Sequence, residues 1–170
     1  MPRNALTLAA VLVLALPAGL AHAQKNTQAT AKPAADALIA SQLKTLGYEH
    51  EIDEDGDYKL VFDVDGENKR SQLVFVRSVV ETYGEFKVRE IWSPGYAGTG
   101  DQIPAAVANR LLQASMDNKL GSWGKQGPNA IFIVRIPADA DKDMLDTALT
   151  AAVQSADQME AELTPGKDEL

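Results

Sequence analysis

The sequence contains no cysteine, and this absence excludes several kinds of chemistry at once. A chain without thiols forms no disulfide, has no thiol nucleophile or lipidated N-terminal cysteine, and offers no cysteine ligand to a metal. Histidine is almost as rare, because one of the two histidines, His22, lies in the apolar N-terminal region. The other, His50, cannot alone supply the ligand set that zinc normally takes. We therefore predict neither a metal nor a cofactor.

Basic residues are also few, since 16 Lys and Arg stand against 24 Asp and Glu, which gives a formal net charge of -8. An acidic chain has little attraction for a phosphate backbone or for an anionic lipid surface. We therefore expect no nucleic-acid partner and no stable membrane anchor. The acidity mainly favours solubility.

The single long apolar run lies at the N-terminus, within residues 1–23. Arg3 supplies a positive charge, residues 6–20 are apolar, and Ala21-His22-Ala23 places small residues where signal peptidase cuts. The run is shorter than the about 20 apolar residues that a membrane span needs. The sequence therefore predicts a secretory signal peptide that is cleaved before Gln24.

The two ends of the chain suggest different compartments. The last four residues, Lys167-Asp168-Glu169-Leu170, spell the retention signal of the endoplasmic reticulum. The Ala- and Leu-rich leader that ends in Ala-His-Ala-Gln is typical of Gram-negative bacteria, and the chain has no Asn-x-Ser/Thr glycosylation site. We favour a periplasmic or secreted protein, and we interpret residues 165–170 as a polar tail.

Hydrophobic periodicity predicts one α+β domain over residues 33–164, after a polar, flexible lead-in at 24–32. The predicted order is α–ββββ–α–ββ–α, with an antiparallel sheet and flanking helices, because the connections between the strands are too short for parallel crossovers. The helices are expected at 33–46, at 104–118 and from 139 or 141 to 163. The strands are expected at 48–53, 58–65, 71–80, 86–92, 120–125 and 130–137.

Apolar spacing also predicts which side chains face the core. The third strand is apolar on both faces, which predicts a central strand that is covered on each side. Arg77 and Arg135 interrupt apolar strands, and we expect them to pair with carboxylates on the sheet or to lie at its edge. The alternative is that they recognise a carboxylate of a client protein. The inner face of the second helix is predicted to carry Val107, Leu111, Leu112 and Met116.

Three aspartates, Asp53, Asp55 and Asp57, have the alternate spacing of a calcium-binding loop. In an EF-hand the glycine is the sixth residue and a bidentate glutamate is the twelfth. Here Gly56 is the fourth residue and Val64 is the twelfth. We therefore interpret the segment as a hairpin turn.

No catalytic motif is present with the required spacing. The segment around Ser122 reads Gly-Ser-Trp-Gly, which lacks the Gly-x-Ser-x-Gly elbow, and His50 would be its only available base. The carboxylates lie in turns and on polar faces, so the sequence does not indicate a glycosidase-like pair. We predict that the protein is not an enzyme.

The most unusual irregular stretch is the Gly-rich segment 93–102. It lacks the Lys-Ser/Thr of a P-loop, and it fits either a linker or a site of ligand or partner contact. Trp92, Tyr96 and Trp123 lie in or near it and are candidate partner contacts, because Tyr and Trp dominate binding hot spots. The alternative is that both tryptophans fill the core.

The decapeptide Tyr48-Glu49-His50-Glu51-Ile52-Asp53-Glu54-Asp55-Gly56-Asp57, between the first helix and the strand meander, resembles the opening of YbjN-like domains. Residues 109–123, the strand at 130–137 and the last helix are similar to the second half of that family. The resemblance spans residues 35–163. It implies the fold of type III secretion chaperones, which are small, acidic, commonly dimeric protein binders, and it transfers no catalytic residues.

The resemblance and the export signal together imply an exported, non-enzymatic YbjN-like protein. Its function would be chaperone-like or regulatory, through an unidentified protein client, with a homodimer as a candidate assembly. The alternative is a small-molecule binder or a degenerate enzyme that uses the Gly-rich segment 93–102. A concave pocket with convergent polar groups would favour that alternative.

We predict that the mature protein begins at Gln24, because the small residues at Ala21 and Ala23 meet the requirement of signal peptidase. Intact-mass measurement on periplasmic extract tests this directly. A retained leader or a cytosolic pool of the protein would contradict it.

Overall fold

The computed structural model describes residues 34–65, 70–166 and 168. The predicted signal peptide and its cleavage site, Ala21, Ala23 and Gln24, lie outside these residues. So do the lead-in at 24–32 and three residues of the predicted tail. Within the described ranges, no helix combines the length and the hydropathy that crossing a bilayer requires.

The described residues form three helices and six strands in the predicted order, which confirms an α+β fold. The helices are α1 (Ala37–Leu46), α2 (Ala105–Asp117) and α3 (Lys142–Leu163). The strands are β1 (Glu51–Ile52), β2 (Tyr58–Asp65), β3 (Arg70–Tyr83), β4 (Phe86–Tyr96), β5 (Ser122–Gln126) and β6 (Asn129–Pro137). The strands form one antiparallel sheet in the order β1-β2-β3-β4-β6-β5.

The three described helices pack on one face of the sheet. Along each strand, alternate side chains point to this face, which we call the helix side. The main core there joins α1 and α3 to the sheet through apolar side chains that include Ile39, Leu43, Leu60, Val76, Ile91, Phe132, Val134, Leu145 and Leu149. A second cluster joins α2 to β6 and α3 through Leu111, Ala114, Ala130 and Met159.

The opposite face of the sheet is covered by none of the described helices, and we call it the open face. It includes the second apolar row of β3, with Leu73 and Phe75, whose side chains are only partly buried. The prediction that this strand is central is confirmed by the strand order. The prediction that it is covered on each side is wrong for the described residues, because none of the described helices lies over this face.

Helices α1 and α3 each begin at an aspartate that caps them. Asp36 accepts a hydrogen bond from the N–H of Leu38 at 2.8 Å, so α1 begins at Ala37 and not at the predicted residue 33. Gly47 ends α1 as predicted, with the left-handed φ of 77° that favours glycine. At α3 the cap is Asp141, one of the two predicted positions.

Helix α2 buries a narrower stripe than its sequence predicts. Leu111 and Ala114 are buried, whereas Leu112 and Met116 are 65% and 80% exposed. The prediction that both of these face the core is wrong. Helix α2 packs at the edge of the sheet against β5, so only one side of it has a surface to bury against.

The Gly-rich segment is shorter than predicted, because β4 continues through Ser93 to Tyr96. Pro94 has no N–H to donate to a neighbouring strand. Side-chain hydrogen bonds join β3 and β4 here. The Gln72 amide donates to the Pro94 carbonyl at 2.6 Å, and the Ser93 hydroxyl donates to the Leu73 carbonyl at 2.5 Å. The prediction of a loop from Ser93 is therefore wrong.

A buried cation organises one end of the sheet. Arg89 in β4 is 1% exposed. It donates to the carbonyls of Arg77 at 2.6 Å and Ser78 at 3.2 Å, and it pairs with the carboxylate of Asp36. These carbonyls lie between Val76 and Val80, where the β3–β4 register shifts. Arg89 thus joins the cap of α1 to a bulge in β3.

The turn before β2 is attached to the same bulge. The Asp57 carboxylate accepts the Ser78 N–H at 2.7 Å and lies 2.5 Å from Nε of Arg77. The Ser78 hydroxyl donates to the Gly56 carbonyl at 2.7 Å and accepts the Asp36 N–H at 3.2 Å. Three segments that are distant in sequence therefore meet at this bulge.

We expect Arg89→Met to lower the free energy of unfolding by about 3 kcal/mol, because it leaves a carboxylate and two carbonyls without their donor. The value is at the lower end for buried pairs, since Asp36 retains contact with water. Urea denaturation measures the effect. The control Arg110→Met removes an exposed pair with Glu162 and should leave stability nearly unchanged. Equal effects of the two variants would contradict the central role of Arg89.

Candidate functional site

The centre of the open face is a row of apolar side chains that crosses three strands. The strand register places Phe75 of β3 beside Trp92 of β4, and Ile133 of β6 on the other side of Trp92. Ile91, next to Trp92 in β4, is fully buried on the helix side, which fixes Trp92 on the open face. A second apolar row, one step along the strands, consists of Val61, Leu73, Pro94 and Ile131.

The same face continues onto a projecting hairpin, residues 79–88, which we call the hairpin arm. Strand β2 pairs with β3 only as far as Val76, and β6 pairs with β4 only as far as Val88. At the tip, Tyr83 and Phe86 form a cross-strand pair and are 83% and 75% exposed. An isolated two-stranded ribbon is marginally stable in water, so these aromatic side chains suit a surface that makes further contacts.

Ion pairs cross the open face between neighbouring strands. Arg135 lies 2.7 Å from the carboxylate of Glu90, and Arg77 pairs with Asp57, which confirms the carboxylate partners expected for both arginines. The Arg77 guanidinium also lies 4.2 Å from the centre of the Trp92 ring. The Trp92 indole N–H donates to Glu90 at 2.9 Å, so the ring is held in place from both ends.

A cavity of about 210 Å³ lies on the open face. Its apolar walls include Phe75, Trp92 and Ile131, and its polar walls come from the acidic turn before β2 and the β5–β6 hairpin. The polar residues that line it are Asp53, Asp55, Asp57, Arg77, Gln126 and Asn129. It is smaller than the about 300 Å³ at which sites for drug-sized ligands begin.

The three aromatic residues singled out in the sequence are not brought together. Trp92 lies on the open face, whereas Tyr96 packs against the second cluster on the helix side. Trp123 packs against both clusters and contacts Phe132 edge to face, with 5.3 Å between the ring centres. A Cβ at Gly95 would lie 2.5 Å from the Trp123 ring, so this glycine makes room for the tryptophan.

Sequence reasoning missed Phe75, Tyr83 and Phe86 as parts of the site. A signal for them was present, because Phe86 and Trp92 are six residues apart in one strand and therefore share a face. The apolar row of β3 that includes Phe75 was assigned to a covered interior. What the sequence does not reveal is that the neighbouring strands stop short of Tyr83.

The acidic turn uses its carboxylates for its own backbone. Asp53 accepts the N–H groups of Asp55 at 2.9 Å and Asp57 at 3.0 Å. Burial raises the pKa of Asp57, while the Ser78 N–H and Arg77 act in the opposite direction. Among the described residues, no group of three His, Cys, Asp or Glu side chains is arranged to hold a metal ion.

His50 lines a surface depression of about 900 Å³ at the β1 edge. Its Nδ1 is 3.1 Å from the Tyr48 carbonyl, and its ring packs edge to face against Tyr58 at 5.2 Å. Ser122 lies in β5 at the opposite edge of the sheet. Five strand spacings of about 4.8 Å separate the two edges by roughly 24 Å, so His50 is not a base for Ser122.

A third cavity, of about 320 Å³, lies where the Gly-rich segment meets α2. Ile103, Leu111, Leu112 and Trp123 give it an apolar lining. The indole N–H of Trp123 is buried and makes no hydrogen bond within the described part of the chain. This cavity is the feature that fits the small-molecule alternative.

Neither a protein-family model nor a curated protein matches this chain. The assignment of function therefore depends on the geometry of the open face, the hairpin arm and the cavities.

We expect the stability of the protein to depend on Tyr48 at alkaline pH. The phenol donates to Asp146 at 2.5 Å, and this hydrogen bond, together with burial, raises the pKa of Tyr48 to about 12. A folded-state pKa above the ordinary value means that the stabilisation is complete below about pH 10 and is lost as the pH rises through about 12.

Urea denaturation of Tyr48→Phe tests this expectation. The variant should be roughly 1 kcal/mol less stable than wild type near neutral pH, because Asp146 loses its donor. The difference should shrink above about pH 10 as the wild-type phenol ionises. A difference that stays constant with pH would contradict the assignment.

Proposed function

We propose that this chain is an exported, non-enzymatic, YbjN-like protein that binds another protein in a chaperone-like or regulatory role. The observation that carries the proposal is that two apolar groups on the open face are uncovered by the described helices: the rows around Trp92 at its centre, and Tyr83 with Phe86 at the tip of the hairpin arm. The paired charges of Arg77, Glu90 and Arg135 lie between the two groups. Exposed apolar surface that is bordered by polar groups marks interaction sites. The order of helices and strands is compatible with the secretion-chaperone resemblance.

The composition of this surface supports protein binding. Its centre holds Phe75, Trp92 and Ile133, which are partly buried already and would lose little side-chain entropy on contact. Tyr83 and Phe86 at the tip add large aromatic area, and aromatic residues dominate interface hot spots. The ion pairs of Arg77 and Arg135 lie between the central rows and the hairpin arm, so a partner that covers both meets charged as well as apolar groups.

The placement of polar side chains supports a non-enzymatic role. His50 is engaged by backbone and ring contacts at one edge of the sheet, and Ser122 lies at the other edge. In the acidic turn, the Asp53 carboxylate accepts backbone N–H groups of the turn and the Asp57 carboxylate pairs with Arg77. These groups do not converge on a common substrate position, as general acid–base chemistry requires.

A small-molecule binder or degenerate enzyme is the second candidate. The cavity of about 320 Å³ beside α2 favours it, because a ligand acceptor there could receive the buried indole N–H of Trp123. A homodimer stays a prediction for the assembly.

Capture from periplasmic extract with immobilised mature protein and a cross-linker tests the proposal. We expect specific proteins to be retained by wild type and lost with the double variant Tyr83→Thr/Phe86→Thr, which keeps the strand propensity of the arm. The thermal midpoint should stay nearly unchanged, because both side chains are exposed.

The matched control is Leu112→Gln/Met116→Gln, which removes comparable exposed apolar area from α2 and keeps its helix propensity. This control should retain the captured proteins. If the control loses them and the arm variant does not, the cavity beside α2 is the functional site and the proposal is wrong. Equal capture by all three proteins would also contradict it.

A further inference from the structure

We infer that the segment of the partner that docks on the open face is extended and basic, with Lys or Arg side chains among its apolar residues. This inference rests on the proposed function, and it adds the chemistry of the partner. It follows from the charges that the open face leaves unpaired, from one cavity and from one strand edge.

The cations of the open face are already neutralised. Arg77 and Arg135 lie within 2.7 Å of carboxylates from neighbouring segments. Lys59 lies 3.9 Å from the carboxylate of Glu51. The face therefore has little positive charge to offer an acidic partner.

Several carboxylates around the open face have no such neutralisation. Asp55, Asp63 and Glu81 are exposed, and none of them forms an ion pair with the residues that the structure describes. They lie at the acidic turn, on β2 and on the hairpin arm, so they surround the apolar rows on three sides. Complementary charge selects partners and speeds their encounter, which here favours a cationic segment.

The cavity of about 210 Å³ fits one basic side chain of such a segment. Its apolar walls, Phe75 and Trp92, suit the aliphatic stem of a lysine or arginine. Its acidic wall carries Asp53 and Asp55 in addition to the Asp57–Arg77 pair, so the lining is net negative. A cationic head group would thus be placed against carboxylates and aromatic rings together.

The extended conformation follows from the edge of β3. The backbone of Arg77 and Ser78 is already bonded to Arg89 and Asp57. Beyond Ser78, β3 has β4 on one side and no described strand on the other. Such an edge can pair with the backbone of an added strand, while alternate side chains of that strand contact the face. Val79, Glu81 and Tyr83 would line this path, which leads from the cavity toward the tip of the arm.

A second copy of this chain is disfavoured as the occupant. Each copy carries a net charge of -8, and two open faces would bring their unpaired carboxylates together. Like charges across an interface oppose association. A self-association that uses the arm is therefore an outcome that would overturn the inference.

Three fluorescent peptides of about ten residues, long enough to extend over roughly 33 Å, test the inference. They share the same apolar residues at alternate positions and carry Lys, Gln or Glu at the others. We expect fluorescence anisotropy to show that the Lys peptide binds at least about tenfold more tightly than the Gln peptide. The Glu peptide should not bind, and added salt should weaken the Lys peptide.

Charge variants locate the effect. The double variant Asp55→Asn/Glu81→Gln should reduce the preference for the Lys peptide by about tenfold. The control Asp117→Asn/Asp143→Asn removes two exposed carboxylates from the helices and should keep the preference. If both double variants lose the preference for the Lys peptide equally, the preference depends only on the net charge of the protein, and the inference is wrong.

The remaining outcomes separate this inference from the proposed function. If the Gln and Glu peptides bind as tightly as the Lys peptide, and Tyr83→Thr/Phe86→Thr abolishes all binding, the basic partner is wrong and the protein-binding surface stands. If the arm variant keeps wild-type affinity for the Lys peptide, the docking path is wrong. Sedimentation that shows a dimer dependent on Tyr83 and Phe86 would assign the face to a second copy.

Discussion

The buried guanidinium of Arg89 is the interaction on which the rest of the structure depends. A cation that is removed from water needs hydrogen-bond acceptors, and here two backbone carbonyls accept from one terminal nitrogen of Arg89 and the Asp36 carboxylate accepts from the other. The buried Nε has no hydrogen-bond partner among the described residues. The carbonyls are available only because β3 bulges between Val76 and Val80. The carboxylate of Asp36 is available only because it caps α1. One side chain therefore fixes where the first helix starts and where the sheet changes its register.

The open face and the hairpin arm follow from that arrangement. All described helices lie on the side to which Arg89 points, so the opposite rows around Trp92 have no cover among the described elements. Past the bulge, β3 continues beyond Val76, the last residue that pairs with β2, and this continuation carries Tyr83. The surface that the proposed function requires therefore lies on the opposite side of the sheet from Arg89 and beyond the end of β2.

Local sequence patterns predicted the helices and strands. They did not predict the features that depend on contacts between distant parts of the chain. Alternation and turn residues gave the order of helices and strands, since both act within a few residues. The exposure of Leu112 depends on α2 lying at the edge of the sheet, which its own spacing does not encode. The strand character of Ser93 and Pro94 depends on the Gln72 side chain, twenty residues away or more. The uncovered face of β3 depends on where helices from elsewhere in the chain pack.

For the candidate site, residue type alone was enough to single out Trp92. Phe75 and Tyr83 could be assigned to the site only once the strand register was known.

The packing of α1 against α3 has a consequence for the time at which this chain can fold. Two hydrogen bonds, each between residues 98 apart, join the two regions: Gln42 of α1 donates to Ala140 just before α3, and Tyr48 just after α1 donates to Asp146 of α3. Contacts of such separation close late and slow the folding reaction. A nascent chain therefore cannot complete its core until α3 has been synthesised. The export that we propose would benefit from this delay, because a chain that is still unfolded can cross a membrane before its core is complete.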